Sequence, residues 1–429
     1  MPVVQKKVLV VGTTPDYIHW IRCSCPAHAI FITAPDIRQT AKEETPADNE
    51  EILICLSDHN QVFEALKIHL EKWGQTIDGI FSFDCESMEL TSFLAGQLGL
   101  DYPSGEAIQN CRDKYVSKQI WHDHRIRCPR VSPINQAIDV VAFFKTTSSG
   151  IVLKPLFGSG SELVFKCTSS SECREAFSAI QQGLKKRSDH PLFQKTSSKQ
   201  YLMLAEEQIM GTEYSCDFII ENNSTKIIRL AKKMKSPFKP FGTILGYLLP
   251  AFLPQSINTD HFNRILLNSS TALGINRGLC MVDFIVADDQ VVLIEMTPRP
   301  GGDCLPHLLK ASTNLDMLKI SLDFARKLPI NLDDTKIITP CVAVRLHAGH
   351  AGVLQKIDTH DLLSDKRVKA IHLTKKPGHR IILPPVDYDS WLLGHIIVEP
   401  SDTQFPEAQA ITISKKIEIL IDKDKSEAS

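Results

Sequence analysis

Between Cys280 and Met296 two short apolar, β-branched runs flank a polar break, Asp288-Asp289-Gln290, a pattern that predicts a β-hairpin with a three-residue loop. Apolar runs at Val8 to Val11, Ala29 to Thr33 and Ile52 to Leu56 alternate with segments of helical period. One of these is Val62, Phe63, Leu66 and Leu70 behind the N-cap candidate Asp58. Such alternation predicts a parallel α/β layer. Further on, a helical segment from Cys111 through Trp121 ends at the two prolines of CPRVSP (128 to 133), and a short linker follows. Strands are expected at Ile151 to Lys154 and Leu163 to Lys166, joined by PLFGSGSE. Ser169 with Glu172 resembles a capping box before a helix carrying Phe177, Ile180 and Leu184. Ser188 to Gln200 is polar and reads as a connection, and Tyr201 to Ala205 as a strand. Tyr214 to Ile220 and Lys226 to Leu230 read as a hairpin across ENNS, with Lys232, Lys233 and Lys235 just after it. From about Thr339 the chain is β-rich, with Gly349, Gly352, Gly378 and Gly394 at turns.

The register of the first hairpin decides its chemistry. A three-residue loop pairs Ala287 with Val291, and therefore Asp283 with Glu295; Thr297 and Arg299 continue on the face of Glu295. Two carboxylates directly opposed on a sheet repel each other unless a cation lies between them. Mg2+ suits that position, because it takes oxygen ligands and commonly uses one or two carboxylates plus substrate phosphates. A surface hairpin with its acids in water is the competing reading.

Composition changes this picture little. The chain has 429 residues, 43% hydrophobic and 23% charged, enough for two to three ordinary globular domains. Its formal net charge of -2 gives no field that would draw nucleic acid or an anionic membrane. The apolar run in MPVVQKKVLVVG is too short for a signal segment, and Gly242 to Pro254 is interrupted by Pro250, so no membrane span and a cytoplasmic location are expected. Twelve scattered cysteines, among them Cys55, Cys216 and Cys280 within apolar runs, read as buried free thiols. Cys23 and Cys25 have no downstream partner pair, so no zinc site is expected, and His307 has packing or surface as its default.

Two weaker motifs gain weight beside the hairpin. Lys154 precedes the loop Gly158-Ser159-Gly160-Ser161, whose backbone N–H groups can wrap phosphates while the lysine supplies charge; the order is not that of a Walker loop. The turn after the first strand also lacks a dinucleotide fingerprint. In AEEQIMGTEYS, main-chain groups of Glu207 and Ile209 can pair with a base edge, and Glu213 can accept from a ribose diol.

The CRDK segment, Lys154 with its loop, AEEQIMGTEYS and VDFIVADDQVVLIEMTPRPGG, in that order, resemble the ATP-grasp superfamily over nearly the whole chain. The resemblance implies an α/β (α+β) ATP-grasp fold: a Rossmann-like pre-ATP-grasp domain at 1–107, the ATP-grasp domain at 108–335 with a lid at about 140–205, and a β-rich domain at 336–429. It implies ATP and Mg2+ as cofactors. Lys114 and Lys154 would contact phosphates, with Gly158, Ser159, Gly160 and Ser161 closing over them. Glu206 and the main chain of Glu207 and Ile209 would hold adenine, and Glu213 ribose. Asp283, Glu295 and Thr297 would bind Mg2+, and Arg299 would steady the transferring phosphoryl group. Thr297 departs from the family's usual asparagine, and Asp283 from its more frequent glutamate. The carboxyl-terminal VAVRLHAGHAGVLQKID and LLGHIIVEPSD resemble the L-amino acid ligase branch, which joins a carboxylate to an amine. The expected activity is therefore amide or peptide bond formation through an acyl phosphate, on small-molecule substrates. Biotin-carboxylase-like carboxylation and non-catalytic nucleotide binding are the alternatives. Oligomeric state stays open, with a homodimer frequent among relatives.

Overall fold

The computed structural model describes residues 6–39, 41–158, 160–187, 203–236, 238–332 and 338–422. A parallel sheet opens it, formed by β1 (Lys6–Val11), β2 (Ala29–Thr33), β3 (Glu51–Leu53) and β4 (Thr76–Phe81) in the order β3-β2-β1-β4. Helices α1 (Pro15–Ser24), α2 (Pro35–Gln39), α3 (His59–Trp73) and α4 (Met88–Leu98) alternate with these strands, as the apolar pattern requires. Asp58 caps α3 by accepting from the N–H groups of Asn60 and Gln61. Because β3 ends at Leu53, Cys55 is exposed and not a strand residue; all twelve cysteines are free thiols.

The helix expected from Cys111 to Trp121 is two helices. α5 (Gly105–Arg112) stops at Asp113, whose carboxylate takes the N–H groups of Tyr115 and Val116 and so starts α6 (Lys114–Asp123). That helix ends before the CPRVSP stretch, and a strand and a helix stand where a short linker was expected after it. The stretch supplies β5 (Val131–Ile134), and Pro133 is tolerated there because β5 is an edge strand. With α7 (Ala137–Phe144), β6 (Ile151–Pro155), β7 (Phe165–Cys167), α8 (Ser170–Lys186) and β8 (Met203–Glu207) it forms a small antiparallel sheet, order β5-β8-β6-β7, with its own apolar core. Ser169 caps α8 as expected, although Glu172 reaches back to Thr168. The polar stretch 188–200 lies outside the described residues.

An eight-stranded sheet carries the rest. It comprises β9 (Thr212–Glu221), β10 (Ser224–Lys235), β11 (Ile244–Leu249), β12 (Gly278–Ala287), β13 (Gln290–Thr297), β14 (Cys341–His347), β16 (Val368–Leu373) and β18 (Leu392–Val398), in the order β13-β12-β9-β10-β11-β14-β18-β16. Between β14 and β16 lie β15 (Gly352–Asp358) and α12 (His360–Leu363); β15 pairs with β17 (Arg380–Ile381) and β19 (Glu418–Asp422) in a third sheet. Helices α9 (Thr259–Ala272), α10 (Leu305–Thr313), α11 (Met317–Ala325) and α13 (Pro406–Ser414) complete the fold. The large sheet takes strands from both sides of the boundary expected at 335/336, because β11 pairs with β14. One apolar core joins Val8, Phe31 and Phe81 of the first sheet to Ile219, Leu308, Ala343 and Ile397.

The β12–β13 hairpin reaches the expected pairing by another route. Its loop has two residues, Asp288 and Asp289, both left-handed at φ 48° and 56°, and Ala287 pairs with Gln290. Alone, that tighter turn would slip the acids past each other. A bulge between Asp283 and Phe284 takes up the difference, so Asp283 does face Glu295.

Candidate active site

A cleft lies between the small antiparallel sheet and the large one, and both its halves are lined by Lys114, Gly158, Gly160, Ser161, Asp283 and Glu295. Alternation along β13 and the adjoining segment brings Glu295, Thr297 and Arg299 to the same cleft. Ser159 lies outside the described residues.

The side formed by the glycine–serine loop is held down by the chain's own contacts. Lys114 at the start of α6 donates its Nζ to the carbonyl of Gly158 at 2.8 Å. Leu163 anchors the loop's far end over Gly183 of α8, where any Cβ would meet the leucine methyl at 2.5 Å. Ser161 and Leu163 sit at φ 61° and 56°, a region few residues of their kind adopt, so the packing around them fixes the turn.

Below the loop three lysines surround two buried acids. Glu206 does not point at the open end of the cleft. Its carboxylate lies 2.7 Å from Lys154 Nζ and 2.9 Å from Lys118 Nζ. Lys118 also donates to Ile294 O at 2.7 Å, the residue displaced by the bulge. Lys118 escaped the sequence reading; its only signal was its place one helical turn after Lys114. Burial pulls Lys154 down to about 8 against the attraction of Glu206, and repulsion from Lys118 and Lys114 adds to the lowering. Lys114 is lowered for the same first reason. Burial alone would raise Glu295, yet Lys114, Lys154 and Lys233 outweigh it and hold that carboxyl below its ordinary value. Asp283, opposite, is raised by burial. The two opposed acids are thus pushed in opposite directions.

β10 settles which basic residue turns inward. Lys233 Nζ lies 2.8 Å from Glu213 Oε1 and 2.6 Å from Asp283 Oδ2, whereas its neighbour Lys232 points away to Glu407. Lys235 also pairs with Glu213. Burial would raise Glu213, but Lys233 and Lys235 bring it down to about 2. This depressed value stabilises the fold above pH about 4.5, and the contribution is lost as pH falls toward 2. Urea unfolding over that range should show wild type converging on Glu213→Gln as pH drops; a constant gap would contradict the pairing.

At the other end, Arg299 donates to Cys85 Sγ at 3.1 Å and to Pro300 O at 2.8 Å. The glycines after it are positioned by a buried pair that the sequence did not reveal. Arg229 Nε donates to Asp217 Oδ2 at 2.7 Å, and Asp217 Oδ1 accepts the N–H of Gly301 at 2.9 Å. That N–H is therefore not free to face a reacting oxygen, and a Cβ at Gly301 would meet Leu305 at 2.7 Å and Arg229 at 3.0 Å. Close approach is the reason for glycine here. Gly12 plays the same part at the end of β1, where a Cβ would strike Ser87 and Asp84. Asp84 is raised to about 6 by burial. Glu207, Ile209 and Met210 line the outer end of the cleft, with the N–H of Glu207 already given to Arg130 O.

The sequence model of the ATP-grasp domain matches residues 147–307, which hold Lys154, Glu206, Glu213, Asp283, Glu295 and Arg299. That stretch is similar to the ATP-grasp domain family. The chain is 27% identical over 253 residues to carnosine synthase 1 of Homo sapiens, covering 57% of this chain and 30% of that protein. To the D-alanine–D-alanine ligase of Cupriavidus pinatubonensis it is 24% identical over 217 residues, covering 48% of this chain and 61% of the ligase. The match thus spans less than two thirds of either relative. In fold, the chain is similar to the L-amino acid ligase from Bacillus licheniformis, with a TM-score of 0.76, 18% identity, and coverage of 97% of this chain and 99% of that one.

The residues fit the groups that the matched ATP-grasp domain implies. Asp283 Oδ1 is buried without a hydrogen-bond partner, on an oxygen-only donor set with Glu295 and Thr297, which suits Mg2+. Lys114, Lys118 and Lys154 outnumber the acids beside them, which suits a polyphosphate. Among the described residues no helix is long and apolar enough to cross a membrane.

Proposed function

We propose that this protein is an ATP-dependent carboxylate–amine ligase acting on an amino acid. The observation that carries this reading is the opposed Asp283 and Glu295 pair, with its unpartnered Oδ1, beside three buried lysines. Lys114 and Lys154 would bind the phosphates, with Glu206 and Lys118 fixing the direction of Lys154. Gly158, Gly160 and Ser161 would close above them. Main-chain groups of Glu207 and Ile209 are assigned to adenine, and Glu213 to ribose. Asp283, Glu295 and Thr297 would hold Mg2+, which neutralises charge on the transferring phosphoryl group. Thr297 offers a hydroxyl, a weaker ligand than a carboxylate.

A substrate carboxylate oxygen attacks the γ-phosphorus of ATP, the bond to ADP breaks, and an acyl phosphate results. The amine nitrogen then attacks the acyl carbon, loses a proton to solvent, and phosphate leaves with its bridging oxygen. Arg299 is placed to steady the phosphoryl oxygens, and the chain's task is positioning and charge stabilisation. The amino acid assignment is supported by Arg345 and Asp303, which lie 2.8 Å apart on the wall beyond Arg299 and match the two ends of a zwitterion.

Incubating the protein with Mg-ATP and panels of acids and amines, with phosphate release and mass detection of products, tests this reading. Amide formed in step with phosphate is the expected result. Turnover with bicarbonate alone would instead indicate carboxylation. Nucleotide binding with no turnover across the panel would indicate a non-catalytic role, a reading that the Lys233 bridge to Glu213 and Asp283 favours.

Lys154 provides a separate check. A phosphate beside it raises its value from about 8, so ATP binding near pH 8 should take up protons. Calorimetry in buffers of different ionisation enthalpy should detect the uptake in wild type and a smaller one in Lys154→Met. Equal uptake in both would remove Lys154 from phosphate contact.

A further inference from the structure

A second cluster lies beyond the cleft, on the C-terminal part of the large sheet. Register places Arg345 of β14 opposite His395 of β18, and His395 opposite His372 of β16, so the three form a row on one face. Helix α10 crosses that face and adds His307. The His307 and His372 rings lie 3.7 Å apart between centroids, His372 and His395 4.8 Å, and His307 and His395 5.1 Å. Trp20 of α1 stacks on His307 at 4.3 Å, closing the row from the N-terminal domain, and its indole N–H is tied to Asp316.

Packing alone accounts poorly for this arrangement. His395 is only 5% exposed, and its Nε2 has no hydrogen-bond partner. An imidazole nitrogen buried in that way costs free energy that a phenylalanine would not. Burial lowers His307 and His395 to about 3, with repulsion among the rings adding to it. Burial thus favours the neutral ring, which keeps a lone pair for a ligand. The neighbouring cation, Arg345, is neutralised by Asp303 at 2.8 Å.

We infer that His307, His372 and His395 form a site for a borderline transition-metal ion, Zn2+ foremost, separate from the acidic site in the cleft. One nitrogen from each ring lies within 4.8 Å of the others. Tetrahedral zinc at ~2.0–2.1 Å from nitrogen holds its ligands ~3.4 Å apart, so the rings close in by modest side-chain rotation. Three imidazoles suit zinc, copper, nickel or cobalt and not Mg2+, and a water completes the fourth position. The ligands come from α10, β16 and β18, with Trp20 of α1 behind them, so the ion clamps elements distant in sequence. The scattered positions explain why no spacing motif announced it. This inference does not depend on the proposed ligase activity.

The test uses the full chain, stripped by chelator, with thiols kept reduced and excess Mg2+ present to fill oxygen sites. Co2+ is the spectroscopic probe, with Zn2+ as competitor. The expected result is a single equivalent bound, with the absorption of tetrahedral cobalt and no thiolate charge-transfer band. His372→Asn and His307→Asn should each weaken binding by ~100-fold or more, since even outer-shell losses cost ~10–100-fold. Absence of binding, a thiolate band, or unchanged affinity in both variants would overturn the proposal. Should circular dichroism show that the variants do not fold, a wild-type crystal soaked with Zn2+ decides. An anomalous peak among the three rings supports the site, and none there overturns it.

Discussion

Glu295→Gln should lower Mg-dependent ATP turnover by about 1,000-fold while leaving the protein folded. The substitution keeps the side chain's shape and removes one of the two opposed charges. Metal stabilisation of transferring charge is worth several kcal/mol, and each 1.36 kcal/mol is a decade in rate. The cost to folding should be small by comparison, because loss of attraction to Lys114, Lys154 and Lys233 is offset by relief of repulsion with Asp283 and of burial of a charge. Steady-state turnover against Mg2+ concentration, alongside a thermal melt, checks both halves. Undiminished turnover would remove the metal assignment, and a collapsed melt would show that the acid is structural.

Asp217→Ala should cost about 3–5 kcal/mol of stability, the range for breaking a buried ion pair by removing one partner. Arg229 has no side-chain exposure, and its guanidinium also donates to Ser215. Burial would lower Arg229, but the Asp217 carboxylate more than reverses this, so the cation persists and is left uncompensated in the variant. Such a loss is a large fraction of the ~5–15 kcal/mol that holds a typical protein folded. Asp217 also receives Gly301, so the segment after Arg299 loses its tether. Urea unfolding of the variant, beside Asp217→Asn, measures the effect. The asparagine can retain the Gly301 bond while giving up the charge, and it should fall between wild type and alanine. A shift below about 1 kcal/mol, the scale of an exposed pair, would contradict the buried pair.

Neither Asp217 nor Lys118 could be read from the chain, and the reason is physical. Local signals announce local partners. Asp58, Ser169 and the strand bearing Lys154 show themselves through caps and periodicity within a few residues. Lys118 acquires its meaning from Glu206 and from Ile294, 176 positions away, and Asp217 from Arg229 and Gly301. The opposed acids are an instructive case between these. Their pairing follows from the hairpin pattern, but through a two-residue turn and a bulge in place of the expected three-residue loop. Asp288-Asp289 carries no glycine to signal so tight a turn, and nothing local marks the bulge. Lys233 was separable from Lys232 only once β10 was known to run through both, since alternation then sends them to opposite faces. The sharing of one large sheet by strands before and after the expected boundary at 335/336 was hidden for a similar reason. Strand β14 pairs with β11 some hundred residues earlier, and composition does not record such a pairing.

Isotope transfer tests the central claim most directly. With an acid–amine pair identified by the screen, the acid is supplied with oxygen-18 in its carboxylate and the released phosphate is analysed by mass. Attack of the carboxylate on the γ-phosphorus predicts one labelled oxygen in each phosphate, with the amide keeping the other. Unlabelled phosphate, formed alongside amide, would contradict an acyl phosphate in this cleft.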